Sequence, residues 1–101
     1  MNISSNISSI QAHQTMMNTS ATNVANVNSD GYIPSETRVV SSENSVKANT
    51  FKANDNGSKM SQTELSKEIT NQIIAQDATE ANVTALKAQD DILGSLLDIK
   101  A

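Results

Sequence analysis

Few side chains in this sequence are of the types that carry out chemistry. His13 is the only histidine, and no acidic residue or second histidine stands at metal-site spacing from it. The chain has no cysteine, which excludes disulfides and thiolate metal sites. A solvated or interface histidine is therefore the favoured interpretation. The sequence predicts no metal site and no bound cofactor.

The second candidate for chemistry is a set of carboxylates in the C-terminal half: Asp77, Glu80, Asp90 and Asp91. Two of them could in principle act as an acid/base pair. They follow one another along a predicted helix, however, where carboxylates almost always form a solvated face. There is also no nucleophile–base pair and no phosphate-binding loop in the sequence. We predict no catalytic residue and a protein that is not an enzyme.

The composition allows only a small core. The chain has 101 residues, of which 37% are hydrophobic and 2% aromatic, whereas Asn, Ser and Thr together account for 35. Such polar side chains compete with the backbone for hydrogen bonds instead of filling a core. We therefore expect a single domain, residues 1–101, whose apolar residues lie in stripes that are shared with a partner.

The formal charge of −4, with seven scattered basic residues, argues against a nucleic-acid partner. No apolar run approaches the roughly 18 residues of a membrane span, so we expect no membrane insertion. The first ten residues are uncharged and rich in Ser and Asn, unlike a cleavable signal peptide. If the protein leaves the cytoplasm, we expect a route other than general secretion.

Two long helices are predicted, one at each end of the chain. The N-terminal helix spans 3–28 and carries a heptad-like apolar seam at Ile3, Ile7, Ile10, Met17, Ala21 and Val24, interrupted only at Gln14. Gly31 is expected to cap its C-terminal end, with Pro34 close behind. The C-terminal helix spans 61–99 and begins with a Ser61–Glu64 capping box flanked by Met60 and Leu65 as a hydrophobic staple. Its apolar stripe is Leu65, Ile69, Val83, Leu86, Leu93 and Leu97, and a second face carries alanines.

The segment between the helices, residues 31–60, is polar. Short extended pieces are expected at 38–40 and 45–51, and Asn54–Gly57 is predicted to form a turn. The predicted fold class is all-α: two long terminal helices in an antiparallel, coiled-coil-like hairpin, joined by a largely irregular or short-β linker.

Both ends of the chain resemble the flagellar rod and hook axial protein family. The run Asn23-Val24-Ala25-Asn26-Val27-Asn28, followed by Gly31-Tyr32, closely resembles the family's N-terminal signature, with Ser29 where Thr is usual. At the other end, the similar segments are Ser61 to Leu65, Ala75-Gln76, Glu80-Ala81-Asn82, Asp90 to Leu93, and Leu96-Leu97-Asp98-Ile99. The last of these is most similar to proximal rod proteins. Asp77 and Thr79 depart from the family, which has Arg and an aromatic residue there.

The resemblance implies a structural subunit of the basal-body rod in the periplasm, which polymerises through its terminal helices into the axial tube. It implies partnership with other axial proteins, with further copies of the chain and with the flagellar export apparatus. The implied assembly positions are Asn23, Val24, Ala25, Asn26, Asn28, Gly31, Tyr32, Gln76, Glu80, Asn82, Asp90, Leu93, Leu96 and Leu97. An alternative is a helical-hairpin adaptor that binds axial or other helical proteins at fixed stoichiometry.

Overall fold

The computed structural model describes the backbone of residues 3–100 and the side chains of residues 3–97. Helix α1 spans Ile3–Ala25 and helix α2 spans Leu65–Lys100. Strands β1, Ser35–Ser42, and β2, Ser45–Lys52, lie between them and form an antiparallel hairpin. The molecule is long and flat, with extents of 67 × 23 × 14 Å.

The fold is mixed α/β, so the prediction of an all-α fold class is wrong. The predicted short extended pieces are parts of one continuous hairpin, in which Ser35 pairs with Lys52 and Ser42 with Ser45. Glu43 takes a left-handed conformation in the two-residue turn, with a φ of 50°. The strands are rich in Val, Thr and Ser, and α1 supplies the surface on which an isolated hairpin depends for stability.

Helix α1 lies between the hairpin and α2 and forms hydrogen bonds to both. On the hairpin side, Ser8 Oγ accepts from the Val46 amide at 3.0 Å, and the Thr37 hydroxyl donates to Thr19 at 2.9 Å. Small residues let two neighbours approach one helix closely, which accounts for the many Ser, Thr, Asn and Ala residues of α1. The Lys67–Glu36 ion pair also links α2 directly to β1.

The side of α1 that faces α2 is not the predicted apolar seam. Ile3 and Ile7 are 43% and 45% exposed, and Ala21 is exposed as well. The buried polar residues of α1 are Asn6, Ser9, Ser20 and Asn23, each one residue before a seam position. A shift of one residue rotates the contact by about 100° around the helix. The apolar residues of α1 have the heptad spacing, but the polar stripe beside them makes the contact within the chain.

Very little apolar surface is buried within the chain. Among the side chains of residues 3–97, the buried hydrophobic ones are Ala12 and Ala75. The apolar stripe of α2 is not buried against α1: Leu65, Ile69, Val83, Leu93 and Leu97 are 44–69% exposed. Ala75, from the predicted alanine face, packs against α1 instead. A second helix approaches such small residues closely, whereas leucines would hold it away.

We expect the isolated chain to be mostly unfolded or only partly helical in dilute solution. Two buried alanines do not offset a backbone entropy cost of about 1–2 kcal/mol per ordered residue. Far-ultraviolet circular dichroism should show low helicity that falls gradually on heating. A cooperative melt at high temperature, from a sample shown to be monomeric by sedimentation, would contradict this expectation.

Candidate assembly interface

Asn23 lies at the centre of a hydrogen-bond network that joins α1 to the start of the hairpin. It is 1% exposed. Its Oδ1 accepts from the Tyr32 hydroxyl at 2.8 Å and from the Ser35 amide at 3.0 Å, and its Nδ2 donates to the Ser35 carbonyl at 2.7 Å. The amide of Asn23 thus pairs with both backbone groups of Ser35, as a neighbouring strand would. The Asn23 side chain therefore forms its hydrogen bonds within its own subunit.

Two hydroxyl groups from the segment before α2 donate to carbonyls at the end of α1. Ser61 Oγ donates to the Asn26 carbonyl at 2.8 Å, and Thr63 Oγ1 donates to the Asn23 carbonyl at 3.1 Å. The same two carbonyls also accept from the Ser29 amide at 3.0 Å and from the Asn26 amide at 3.2 Å. The hydroxyls therefore join the end of α1 to a segment that is distant in sequence.

The predicted Ser61–Glu64 capping box is wrong, because α2 begins four residues after Ser61 and the Ser61 hydroxyl accepts from the Thr63 amide, at 3.4 Å, and not from the Glu64 amide. The first bond of α2 runs from the Glu68 amide to the Glu64 carbonyl, at 3.0 Å, so the helix begins at Leu65. Met60 and Leu65, the expected staple, are 71% and 47% exposed.

Gly31 has the left-handed conformation expected of it, with a φ of 75°. Its amide, however, donates to the Lys59 carbonyl at 2.8 Å and not to a carbonyl of α1. The Gln62 amide donates to the Tyr32 carbonyl at 3.0 Å, which completes a short bridge between residues 31–32 and 59–62. Gly31 therefore fixes the approach of the segment that precedes α2, and its predicted role as a helix cap is wrong.

Tyr32 is half-buried in this junction. Lys52 Nζ lies 5.3 Å from the centre of its ring, a cation–π distance. Burial, together with the negative charge of Glu68, raises the pKa of the Tyr32 phenol. The hydroxyl therefore stays protonated and remains a donor to Asn23. At the Asn54–Gly57 turn, hydrogen bonds from the Gln62 side chain and the Gly57 amide lower the pKa of Asp55.

The remaining residues of the N-terminal signature lie around this junction. Asn26 Nδ2 donates to the Thr22 carbonyl at 2.9 Å, and its Oδ1 accepts from Ser29 at 3.0 Å. Val24 is half-buried, whereas Ala25 and Asn28 are exposed. In the signature, Asn23, Asn26 and Tyr32 therefore form hydrogen bonds within the chain, while Ala25 and Asn28 beside them are exposed.

Of the predicted assembly positions on α2, some contact α1 and others are exposed. Asn82 Nδ2 donates to Ser9 Oγ at 2.9 Å and to the Ala78 carbonyl at 2.7 Å, so it joins the two helices. Gln76 donates to Glu80 at 3.4 Å on the exposed side, and Asp90 is also exposed.

Large apolar side chains lie exposed at the C-terminal end of α2. Leu93, Leu96 and Leu97 are 51%, 53% and 69% exposed, and Ile92 is 60% exposed. Ile3 and Ser4 of α1 border a shallow cleft with Gln89, Ile92 and Leu93. The side chain of Ile99, which was expected to belong to the same surface, lies outside the described side chains.

Sequence reasoning missed the polar residues that join α1 to α2. Gln72 Nε2 donates to Ser20 Oγ at 3.1 Å, Ser20 Oγ donates to the Glu68 carbonyl at 3.0 Å, and Asn6 Nδ2 donates to Gln89 Oε1 at 3.3 Å. The members in α2, Glu68, Gln72 and Gln89, lie on one stripe with a spacing of three and four residues. That regularity was the available signal, but polar periodicity also describes an ordinary solvated face.

The residues considered for chemistry are not arranged as a reactive centre. His13 Nδ1 lies 2.8 Å from the Ser9 carbonyl of its own helix, a bond in which the imidazole donates. Across the described part of the chain, no three His, Cys, Asp or Glu residues are grouped to hold a metal ion. Within residues 3–100, neither helix combines the length and apolar character needed to cross a membrane.

Comparison with protein families gives a match to the C-terminal part of the chain. Residues 58–99, which comprise the entry to α2 and nearly all of that helix, match the family described as flagellar basal body rod FlgEFG protein C-terminal. A comparison with curated proteins gave no match. The matched segment contains both the hydroxyls that close α1 and the exposed leucines. Over this C-terminal segment the chain is similar to the flagellar basal-body rod family, and the match supports a structural role related to the basal-body rod.

Proposed function

We propose that this chain is a subunit of the flagellar rod that polymerises through its N- and C-terminal helices into the axial tube. The observation that carries the proposal is that polar side chains are buried within the chain and large apolar side chains are exposed. The contact between α1 and α2 is made largely by polar and small residues, while fourteen large hydrophobic side chains within residues 3–97 are exposed. A protein surface this rich in apolar groups is characteristic of an interaction surface.

The side of α2 that faces α1 changes character towards the C-terminal end of α2. Along α1 it carries Glu68, Gln72, Ala75, Thr79, Asn82, Leu86 and Gln89, spaced alternately by four and three residues. Three hydrogen bonds between the helices show that this stripe faces α1: Ser20 donates to the Glu68 carbonyl, Asn82 donates to Ser9, and Asn6 donates to Gln89. The same spacing continues with Leu93, which borders Ile3, and with Leu96. The stripe therefore becomes apolar towards the C-terminal end of α2, which supports a second helix, from another subunit, at that position.

The apolar seam of α1 offers a second contact surface. Ile3, Ile7 and Ala21 are exposed, while Ile10, Met17 and Val24 are half-buried. Their heptad spacing suits a helix that packs along α1 from outside the chain. With the end of α2, each subunit presents two different apolar surfaces. Contacts between unlike surfaces do not close on themselves and can therefore build a helical filament.

The partners in this proposal are other rod proteins and further copies of the chain. Residues 1–30 and 61–101 would form one discontinuous axial domain, with 31–60 as its linker. The low intrinsic stability of the chain supports export in an unfolded state by the flagellum-specific apparatus, followed by ordering on assembly in the periplasmic rod.

The experiment that tests this proposal measures the number of copies and the form of the assembly. The chain, expressed with a small tag, should appear in purified basal bodies with its tag located in the rod by electron microscopy. Purified protein should form complexes whose size grows with concentration. A complex that saturates at one fixed stoichiometry with a helical partner would instead identify an adaptor, and absence of the chain from the rod would refute the proposal.

A further inference from the structure

Glu68 is a buried carboxylate without a partner. It lies in the first turn of α2 and is 3% exposed, and its Oε1 has no hydrogen bond to any described group. The positive end of the helix dipole favours a negative charge there, but its effect on a residue in the first turn is modest. A buried charge normally has an ion-pair or hydrogen-bond partner, because its desolvation is otherwise uncompensated. In the folded chain, Glu68 Oε1 therefore lacks the donor that would normally accompany a buried carboxylate.

Glu68 lines a partly open cavity at the junction of α2, the hairpin base and the preceding segment. The cavity has a volume of about 140 Å³ and is also lined by Glu36, Glu64 and Lys67. Lys67, the one cation in this lining, is already paired with Glu36. Two carboxylates, Glu64 and Glu68, are left without a compensating charge in the cavity wall. Its electrostatic character is therefore negative.

The remaining lining residues indicate which kind of cation the cavity fits. Asn54, Asn56 and Gln62 bring side-chain amides to its wall, and Pro34 and Ala53 bring apolar surface. The carboxylates are not close enough together to form a metal site within the described part of the chain. A lysine or arginine side chain, by contrast, combines an apolar stem with several donors at its tip. The cavity would hold about four water molecules at roughly 30 Å³ each, or the end of one such side chain.

We infer that this cavity receives a lysine or arginine side chain from a neighbouring axial subunit. The inference rests on the proposed assembly into the rod and adds the chemistry of one contact. The neighbour's basic side chain forms an ion pair with the buried Glu68 carboxylate, and this pair exists only in the assembled state. Charge complementarity at this cavity then selects the neighbour and its register, since a subunit without a basic residue there leaves the carboxylate unpaired.

The test is Glu68→Gln, which keeps the shape of the side chain and removes its charge. Wild-type and variant chains with different tags are expressed together, and their ratio in purified rods is divided by their ratio in the cell extract. We expect Glu68→Gln to lower this incorporation ratio by at least about tenfold. The helicity of the isolated chain should be unchanged or higher, because a buried unpaired charge has been removed. This opposite response of monomer and assembly distinguishes a missing partner from a simple structural role.

Two further variants make the result decisive. Asp77→Asn removes a charge from the exposed side of the same helix, at a residue outside the implied assembly positions, and should leave the ratio unchanged. Glu64→Gln alters the same cavity at an exposed position and should lower the ratio, so it decides the matter if Glu68→Gln reduces helicity. Equal incorporation of both cavity variants and wild type would show that the cavity holds only water and overturn the inference. If the wild-type chain itself is absent from rods, the proposed function fails as well.

Discussion

Leu97→Asp is expected to block incorporation of the chain into the rod and to leave the isolated chain almost unchanged. Leu97 is 69% exposed, so its replacement removes little from the subunit's own packing. In the assembly, burial of a leucine contributes about 1.5–3 kcal/mol, and a buried aspartate adds a desolvation cost. Together these effects should lower the incorporation ratio in purified rods by at least about tenfold, since about 1.4 kcal/mol corresponds to that factor.

The matched control for this prediction is Leu97→Met, which keeps the apolar character and approximate volume of the side chain. It should be incorporated nearly as well as wild type. Leu65→Asp, at the other end of α2, lies beside the segment that closes α1, and should lower the helicity of the isolated chain as well. Motile cells with wild-type amounts of the Leu97→Asp chain in their rods would refute the assembly role of this end of α2.

Asn23→Ala is expected to have the largest effect on folding of any single substitution in the chain. It removes three hydrogen bonds and leaves the Tyr32 hydroxyl and both backbone groups of Ser35 without partners in a buried site. Each such loss costs about 1–3 kcal/mol, so the total is comparable with the whole stability of a small domain. Because the isolated chain is marginal, unfolding by urea should be measured in trimethylamine N-oxide, which strengthens burial.

Asn28→Ala is the control for Asn23→Ala, because Asn28 belongs to the same signature but is exposed. It should change the free energy of unfolding by less than about 0.5 kcal/mol. Asn23→Asp tests the geometry further: an ionised carboxylate can accept from Tyr32 and from the Ser35 amide but cannot donate to the Ser35 carbonyl. We expect a stability between those of the wild type and Asn23→Ala. Equal stability of Asn23→Ala and Asn28→Ala would show that the junction contributes nothing to the fold.

Local sequence patterns were enough to locate the helices and much of the relevant surface. The two helical segments follow from three-and-four spacing, and the left-handed conformation of Gly31 follows from its position after an Asn-Ser-Asp run. The overhang of Leu96 and Leu97 follows from helix length alone, because 23 residues span about 35 Å and 36 residues about 54 Å. The resemblance at the C-terminal end also agrees with the family match over 58–99.

The hairpin and its consequences were not predictable from local patterns in the same way. Residues 35–52 contain a strong β preference only in short pieces, and the strands are completed by packing on α1. Once the hairpin occupies one side of α1, the other side is left for α2. The hydroxyls of Ser61 and Thr63 then donate to carbonyls of α1, and α2 begins only after both of these residues.

The identity of the contacting stripe was decided by tertiary structure. Periodicity shows that a helix has an apolar stripe and a polar stripe about 100° apart, but not which neighbour covers which. The usual inference assigns the apolar stripe to the chain's own core. Here Asn6, Ser9, Ser20 and Asn23 face the interior of the subunit, because small residues that hydrogen-bond across a close helix pair can be satisfied within one chain. The large apolar side chains, together with the unpaired Glu68, are left for contacts that a single chain does not contain.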